Sequence, residues 1–200
     1  MEYATIAAFR RDPVKVWEFY APRFEALTRA EPNDGHRALA ELEARGLVRA
    51  VITQNIDALH ERAGSREVVE VHGSIRDAEC LACGGRAPLA EVVALLRDRP
   101  APPCPQCGDI LKPGVVMFGE LLPEREIEHA FELAVQAALL LVVGSSLEVH
   151  PVAGLPDATL AAGGELAIVN RGETPYDRHA SLKIDAGAGE TLAALAAALA

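Results

Sequence analysis

The stretch Leu139-Leu-Leu-Val-Val-Gly-Ser-Ser146 decides the fold. Its five successive apolar residues read as a strand buried on both faces, because a strand with one wet face would alternate apolar and polar side chains. A glycine and two small hydroxyl residues follow at its carboxyl end. The flanks repeat the rhythm. Glu124 to Gln136 reads as a helix, Ala153 to Ala162 as a second helix and Leu166 to Val169 as a strand. Leu182 to Ile184 is a further short strand, and Glu190 to Leu199 a closing helix. Apolar strands alternating with helices predict an α/β fold, a parallel sheet covered by helices on both faces.

The amino-terminal half fits the same plan. Pro13 can open a helix, and Val16, Trp17, Tyr20, Phe24 and Leu27 then recur at helical spacing. Asn33 has the character of an N-cap, Leu39 and Leu42 supply an apolar face, and Gly46 falls where that helix would end. Val48 to Thr53 and Glu67 to His72 are strand candidates, with a short helix between them ending at Gly64. Val115 to Phe118 reads as extended. In open parallel sheets ligands bind beyond the carboxyl ends of the strands. The polar clusters Gln54-Asn55-Ile56-Asp57, His72-Gly73, Gly144-Ser145-Ser146 and Asn170 lie at those ends. Residues 77–112 break the rhythm with cysteines, glycines and prolines around one helix at Leu89 to Arg97. They read as a small insert, which leaves 1–76 and 113–200 as a Rossmann-like body.

A chain of 200 residues, half of them hydrophobic, suits one large domain or a domain with a small insert. Its net charge of −10 repels phosphate backbones, so direct nucleic-acid binding is not expected. No apolar run is long enough to cross a bilayer, and residues 1–11 lack the apolar core of a signal peptide. No membrane association and a cytoplasmic location are therefore expected.

All four cysteines fall in two pairs, Cys80-x-x-Cys83 and Cys104-x-x-Cys107, separated by 20 residues (84–103). Each pair can present two thiolates to one ion, and two pairs complete a tetrahedron. Four protein ligands leave no open position, so a structural zinc ion is expected. Redox cysteines and a nucleic-acid-binding zinc ribbon are the alternatives. The acidic balance and the α/β surroundings count against the ribbon.

Val51-Ile-Thr-Gln-Asn-Ile-Asp-Ala-Leu-His60 places Gln54, Asn55 and Asp57 directly after a strand, where amide and carboxylate groups together could both donate to and accept from a ligand. An N-cap and loop would use the same residue types. His60 reads as a structural residue of the next helix. His72 ends the following strand candidate and could take a proton near neutral pH. The run Asp185-Ala-Gly187-Ala-Gly189-Glu190 imitates a dinucleotide fingerprint, but Leu192 stands where the third glycine belongs.

In order, Gln54-Asn-Ile-Asp57, Val71-His-Gly73, the paired Cys-x-x-Cys motifs, Lys112-Pro-Gly-Val-Val-Met-Phe-Gly-Glu120 and Gly144-Ser-Ser-Leu-x-Val149 resemble the signature of the sirtuin family, from about Ile6 to the carboxyl terminus. The resemblance implies an NAD-dependent protein-lysine deacylase that acts on acylated lysine-bearing proteins. NAD would be consumed as a co-substrate, giving nicotinamide and O-acyl-ADP-ribose with no hydride transfer. It implies His72 as general base, and Gln54, Asn55, Ile56 and Asp57 around the nicotinamide and its ribose. Gly144, Ser145 and Ser146 would contact the cofactor, Asn170 the adenosine ribose and Ala188 the adenine side. Val115, Val116, Met117, Phe118, Gly119 and Glu120 would offer a backbone edge to the substrate peptide.

Trp17-Glu-Phe-Tyr20-x-x-Arg23 resembles the element of the subgroup that prefers negatively charged acyl groups. Tyr20 and Arg23 are three apart on one helical face, and a guanidinium suits a succinyl or malonyl carboxylate. Desuccinylation is expected over deacetylation. A core tyrosine beside a surface arginine is the plainer account. Sirtuins normally begin with a strand and a Gly-Ala-Gly-x-Ser turn, whereas the first glycine here is Gly35. The resemblance therefore implies a shortened or amino-terminally incomplete form, with buried amides each costing about 1–3 kcal/mol where a strand partner is lost. A catalytically inactive or truncated sirtuin-like protein that binds acyl-lysine or ADP-ribose is the alternative function.

Overall fold

A computed structural model describes residues 3–200. In chain order the elements are α1 (Ile6–Arg11), α2 (Pro13–Arg29), α3 (Asp34–Ala44), β1 (Val51–Thr53), α4 (Leu59–Ala63), β2 (Val68–Glu70), β3 (Gly73–Cys80) and β4 (Arg86–Pro88). Then follow α5 (Leu89–Leu95), β5 (Leu111–Val115), α6 (Glu124–Gln136), β6 (Leu139–Val143), α7 (Leu155–Ala161), β7 (Glu165–Val169), β8 (Leu182–Ile184) and α8 (Ala188–Ala198). The chain forms two compact units. One comprises Met1–Glu31, Gln54–Ala58 and His72–Pro123, the other Pro32–Thr53, Leu59–Val71 and Glu124–Ala200.

In the second unit β6, β7 and β8 form a parallel sheet in that order, and β1 and β2 a separate parallel pair. Alternation along the strands sorts the side chains. Leu140, Val142, Leu166 and Ile168 gather with Leu160 of α7 and with Tyr176. Leu141 and Val143 turn the other way, onto Ala38 and Leu42 of α3 and Leu192 and Ala196 of α8. Helices therefore lie on both faces of β6, but the full burial expected of it is not met: Val142 alone of its five residues is buried and Leu139 is 55% exposed. Asn33 caps α3 through its side chain, which accepts from the His36 N–H at 3.1 Å. Near the other end, the buried Glu43 carboxylate accepts the N–H groups of Arg66 and Glu67, each at 2.8 Å.

The first unit is built on an antiparallel sheet in the order β4-β3-β5. Thr5 caps α1, Asp12 caps α2, and Pro13 occupies the first turn of α2, where its missing N–H costs nothing. The core combines Ile6, Phe9, Trp17 and Phe24 from α1 and α2 with Leu89, Val92, Leu111, Cys80 and Cys104 from the cysteine-rich segment. The Trp17 indole N–H donates to the Leu111 carbonyl at 2.8 Å inside that core. Residues 77–112 thus lie wholly within this unit and share its core with α1 and α2.

Several elements differ from expectation. The strand expected over 48–53 shortens to β1, because the N–H groups of Leu47 and Val48 still bond the Leu42 carbonyl at the end of α3. The extended run expected over 115–118 has its ladder earlier, in β5. Helix α8 begins at Ala188, two residues before expectation, and α1, β3 and β4 have no counterpart in the sequence reading. Among the described residues no helix is long and apolar enough to cross a membrane.

Candidate metal centre and active site

The two cysteine pairs sit in matching loops. The Cys80 carbonyl accepts from Gly84 and the Cys80 N–H donates to the Gly85 carbonyl. The Cys104 carbonyl accepts from Gly108 and the Cys104 N–H donates to the Asp109 carbonyl. Each loop turns on a left-handed glycine, Gly84 at φ +71° and Gly108 at φ +81°. This repeated turn brings the four sulfurs within 4.8 Å of one another. Cys80 Sγ lies 3.5 Å from Cys107 Sγ, and Cys83 Sγ lies 3.6 Å from Cys104 Sγ. A tetrahedral zinc ion with Zn–S bonds of about 2.3 Å needs sulfurs about 3.8 Å apart. The donor set fits, and the four cysteines are placed to bind a structural zinc ion. Cys80 and Cys104 are buried, Cys83 and Cys107 exposed.

His72 lies two residues beyond β2. Its Nδ1 is 3.3 Å from the Gln54 carbonyl oxygen. A carbonyl can only accept, so this bond puts the proton on Nδ1 and leaves the lone pair on Nε2. The backbone around the histidine is tied down. The Ile75 N–H donates to the Ile56 carbonyl at 2.9 Å, joining the Gln54–Asp57 turn to β3. The Val116 N–H donates to the His72 carbonyl at 2.9 Å. The structure therefore brings together His72, the Gln54–Asp57 turn and the segment 115–120 within one unit. Ile56 packs against the unit's core, and Asn55 is exposed.

Within the segment 115–120 much of the backbone is already engaged. Phe118 is bridged to Thr5, accepting from Ile6 and donating to Ala4. The Met117 N–H donates to Glu120 Oε2 at 2.7 Å, and the Glu120 N–H to the Met117 carbonyl at 3.0 Å. The Phe118 side chain is exposed. On α2, Arg23 stacks its guanidinium over the Phe19 ring at 3.6 Å and also donates to the Phe19 carbonyl. Tyr20 stacks on Phe24, with centroids 5.3 Å apart. Burial raises the Tyr20 pKa, with Arg23 acting weakly against it, so the phenol keeps its proton at neutral pH.

The remaining candidate cofactor residues belong to the second unit. Gly144 follows β6 at φ +61°, donates to the Val169 carbonyl at 2.9 Å and has open space where a Cβ would project. The Ser145 hydroxyl accepts from the Leu147 N–H at 3.2 Å, and Ser146 is exposed. Asn170 follows β7 and directs its side-chain amide to the carbonyls of Arg171 and Gly172. Ala188 is the first residue of α8. The sequence reading passed over Lys112 as a side chain with a role. The sequence signal was a lysine set against apolar neighbours in Ile110-Leu111-Lys112-Pro113, and the structure places it in β5, whose five residues are all buried.

Comparison with known proteins bears on this arrangement. The Sir2 family model matches residues 1–151. An NAD-dependent protein deacylase of Thermococcus kodakarensis is 46% identical over 194 residues, covering 96% of this chain and 76% of that protein. A solved structure of Sir2 bound to an acetylated peptide superposes with a TM-score of 0.94 at 39% identity, covering 97% of this chain and 82% of that one. A solved complex of Sir2 with a p53 peptide and NAD+ superposes with a TM-score of 0.91 at 40% identity, covering 96% and 80%. The chain belongs to the Sir2 family.

Proposed function

We propose that this protein is an NAD-dependent protein-lysine deacylase whose general base is His72. The observation that carries the reading is the bond between His72 Nδ1 and the Gln54 carbonyl. It fixes the tautomer that leaves Nε2 able to take a proton. Bound NAD would supply a ribose carbon to accept the acyl oxygen, with nicotinamide as the leaving group. His72 would then remove a proton from a ribose hydroxyl, whose oxygen attacks the carbon of the imidate so formed; the lysine amine leaves with a proton and one water is consumed, giving the free lysine and O-acyl-ADP-ribose. Gln54, Asn55, Ile56 and Asp57 hold the nicotinamide end. Gly144, Ser145, Ser146, Asn170 and Ala188 contact the rest of the cofactor, and the open space beside Gly144 suits such an approach. Zinc is structural and stays with residues 77–112, while 1–76 and 113–200 form the NAD-binding body. The substrates are acylated proteins in the cytoplasm.

Residues 115–120 meet the substrate peptide. The N–H groups of Val116, Met117, Phe118 and Glu120 are already bonded within the chain. Strand addition there would use carbonyl oxygens and the Gly119 amide, with Phe118 as an apolar contact. Tyr20 and Arg23 favour a succinyl or malonyl group over acetyl. With Arg23 over the Phe19 ring and one N–H given to the Phe19 carbonyl, its other N–H donors can meet a carboxylate, and the protonated Tyr20 hydroxyl can add a bond.

The test is incubation of the zinc-loaded chain with NAD and a succinyl-lysine or acetyl-lysine peptide, with mass spectrometry for O-acyl-ADP-ribose. Product from the unsubstituted chain and none from His72→Ala is the expected result. No product from a folded chain that still binds the peptide would overturn catalysis in favour of a binding protein. Arg23→Met should depress succinyl turnover about tenfold more than acetyl turnover. Equal losses would remove the carboxylate-pairing account.

A further inference from the structure

We propose that Lys112 is a positioning residue for the acyl-peptide segment, its buried ammonium setting the geometry of residues 115–120 through Glu120 and the Val115 carbonyl. This rests on the deacylase reading and adds to it a residue that does not touch the reacting atoms.

Lys112 is fully buried, which is rare for a lysine. Its Nζ lies 2.9 Å from the Pro113 carbonyl, 2.8 Å from the Val115 carbonyl, 3.1 Å from Glu79 Oε1 and 3.1 Å from Glu120 Oε2. Three N–H donors thus face four acceptors, and one cation sits between two carboxylates. The links run outward from this point. Glu120 Oε2, held by the ammonium, also accepts the Met117 N–H at 2.7 Å, and the Glu120 N–H returns to the Met117 carbonyl at 3.0 Å. The 117–120 turn is thus closed by one backbone bond and by a carboxylate that Lys112 orients. The same ammonium holds the Val115 carbonyl, one residue before the Val116 N–H that bonds His72. Glu79 stands opposite Lys112 on β3, so the sheet supplies the second carboxylate.

A buried charge network is a poor device for stability alone, since an apolar residue of similar size often stabilises as well or better. What it does supply is one permitted arrangement, because each acceptor must meet a donor in a low-dielectric interior. With full burial, Lys112 is also inaccessible as a substrate lysine.

The experiment is steady-state kinetics of Lys112→Met, which keeps an unbranched stem one atom shorter and removes the ammonium. The KM for acyl-peptide should rise about tenfold or more, with the KM for NAD within about twofold and one zinc still bound. A merely structural lysine would lower kcat through a smaller active fraction and leave both KM values unchanged, and that pattern overturns the proposal. Should Lys112→Met fail to fold, Glu120→Gln keeps an acceptor for the Met117 N–H and removes the ion pair. Its peptide KM should rise about threefold or more, and no change would again overturn the proposal. If the unsubstituted chain gives no product, the deacylase reading fails on its own. The proposal is then decided by peptide Kd from fluorescence anisotropy, which should weaken by the same factors in the same variants.

Discussion

Gly73 sits at φ +73°, and a Cβ built on it would lie 2.2 Å from the Gly114 carbonyl oxygen. An alanine there would meet both a left-handed backbone penalty of about 1–2 kcal/mol and a backbone collision. Gly73→Ala should therefore lower Tm by about 5 °C or more. It should also disturb His72, its neighbour in the chain. An unchanged Tm would show that β3 and β5 can part at no cost. A second single-residue prediction concerns His129, whose pKa is raised above 6.5 chiefly by its 2.9 Å bond to Glu67, with Glu132 adding to the effect. A raised pKa contributes stability that is whole below the unfolded value and is lost as pH climbs above 6.5 through the folded value. Both partners are about half exposed, so the effect is small. His129→Ala should lower Tm by about 1–2 °C at pH 5.5 and by less at pH 8.5. The reverse order would break the assignment. At this scale the sequence made the zinc ligands legible through spacing alone. His72 was visible as a histidine at a strand end and through the Val71-His-Gly73 resemblance, but not its tautomer, because the carbonyl that fixes it lies 18 residues away.

At the scale of the element, the Glu43 carboxylate links α3 to β2. It accepts the N–H groups of Arg66 and Glu67, and the Glu67 carbonyl in turn accepts the Val51 N–H at 2.8 Å. Both strands of the β1–β2 pair thus start from one carboxylate. Glu43→Ala leaves two amides without their acceptor, at about 1–3 kcal/mol each. Hydrogen exchange at Arg66 and Glu67 should accelerate well beyond that in β7, whereas unchanged protection would mean that water replaces the carboxylate freely. Elements such as α2, α3 and β6 were legible because Pro13 with helical apolar spacing, the Asn33 cap and a pure apolar run mark them. Strand β3 was not. Gly73-Ser-Ile-Arg-Asp-Ala-Glu-Cys80 has little intrinsic strand preference, and pairing with β4 and β5 on its two sides imposes the conformation. Helix α1 was missed because six residues are too few to show a period.

At the scale of the whole molecule, the α/β class was legible but the interleaving of the chain between two units was not, since each crossing falls within a smooth run of sequence. Composition marked out residues 77–112. It could not show that Trp17 of α2 donates its indole N–H to Leu111 within them. That contact supplies a probe, because Trp17 is the single tryptophan and is 1% exposed. Zinc removal by a chelator, or Cys104→Ser, should shift its emission to longer wavelength and lower Tm by about 10 °C or more. Elemental analysis should find one zinc in the unsubstituted chain. Emission that ignores metal loss would show that the core does not depend on the ion.

The shared core also bears on portability. Cysteine-paired loops are often regarded as cassettes, to be lifted from one protein and set into another. Here Leu89, Val92 and Leu111 turn toward Phe9, Trp17 and Phe24. A transplanted 77–112 segment would carry its metal together with a bare oily flank, and would be a seed for aggregation unless α1 and α2 travelled with it.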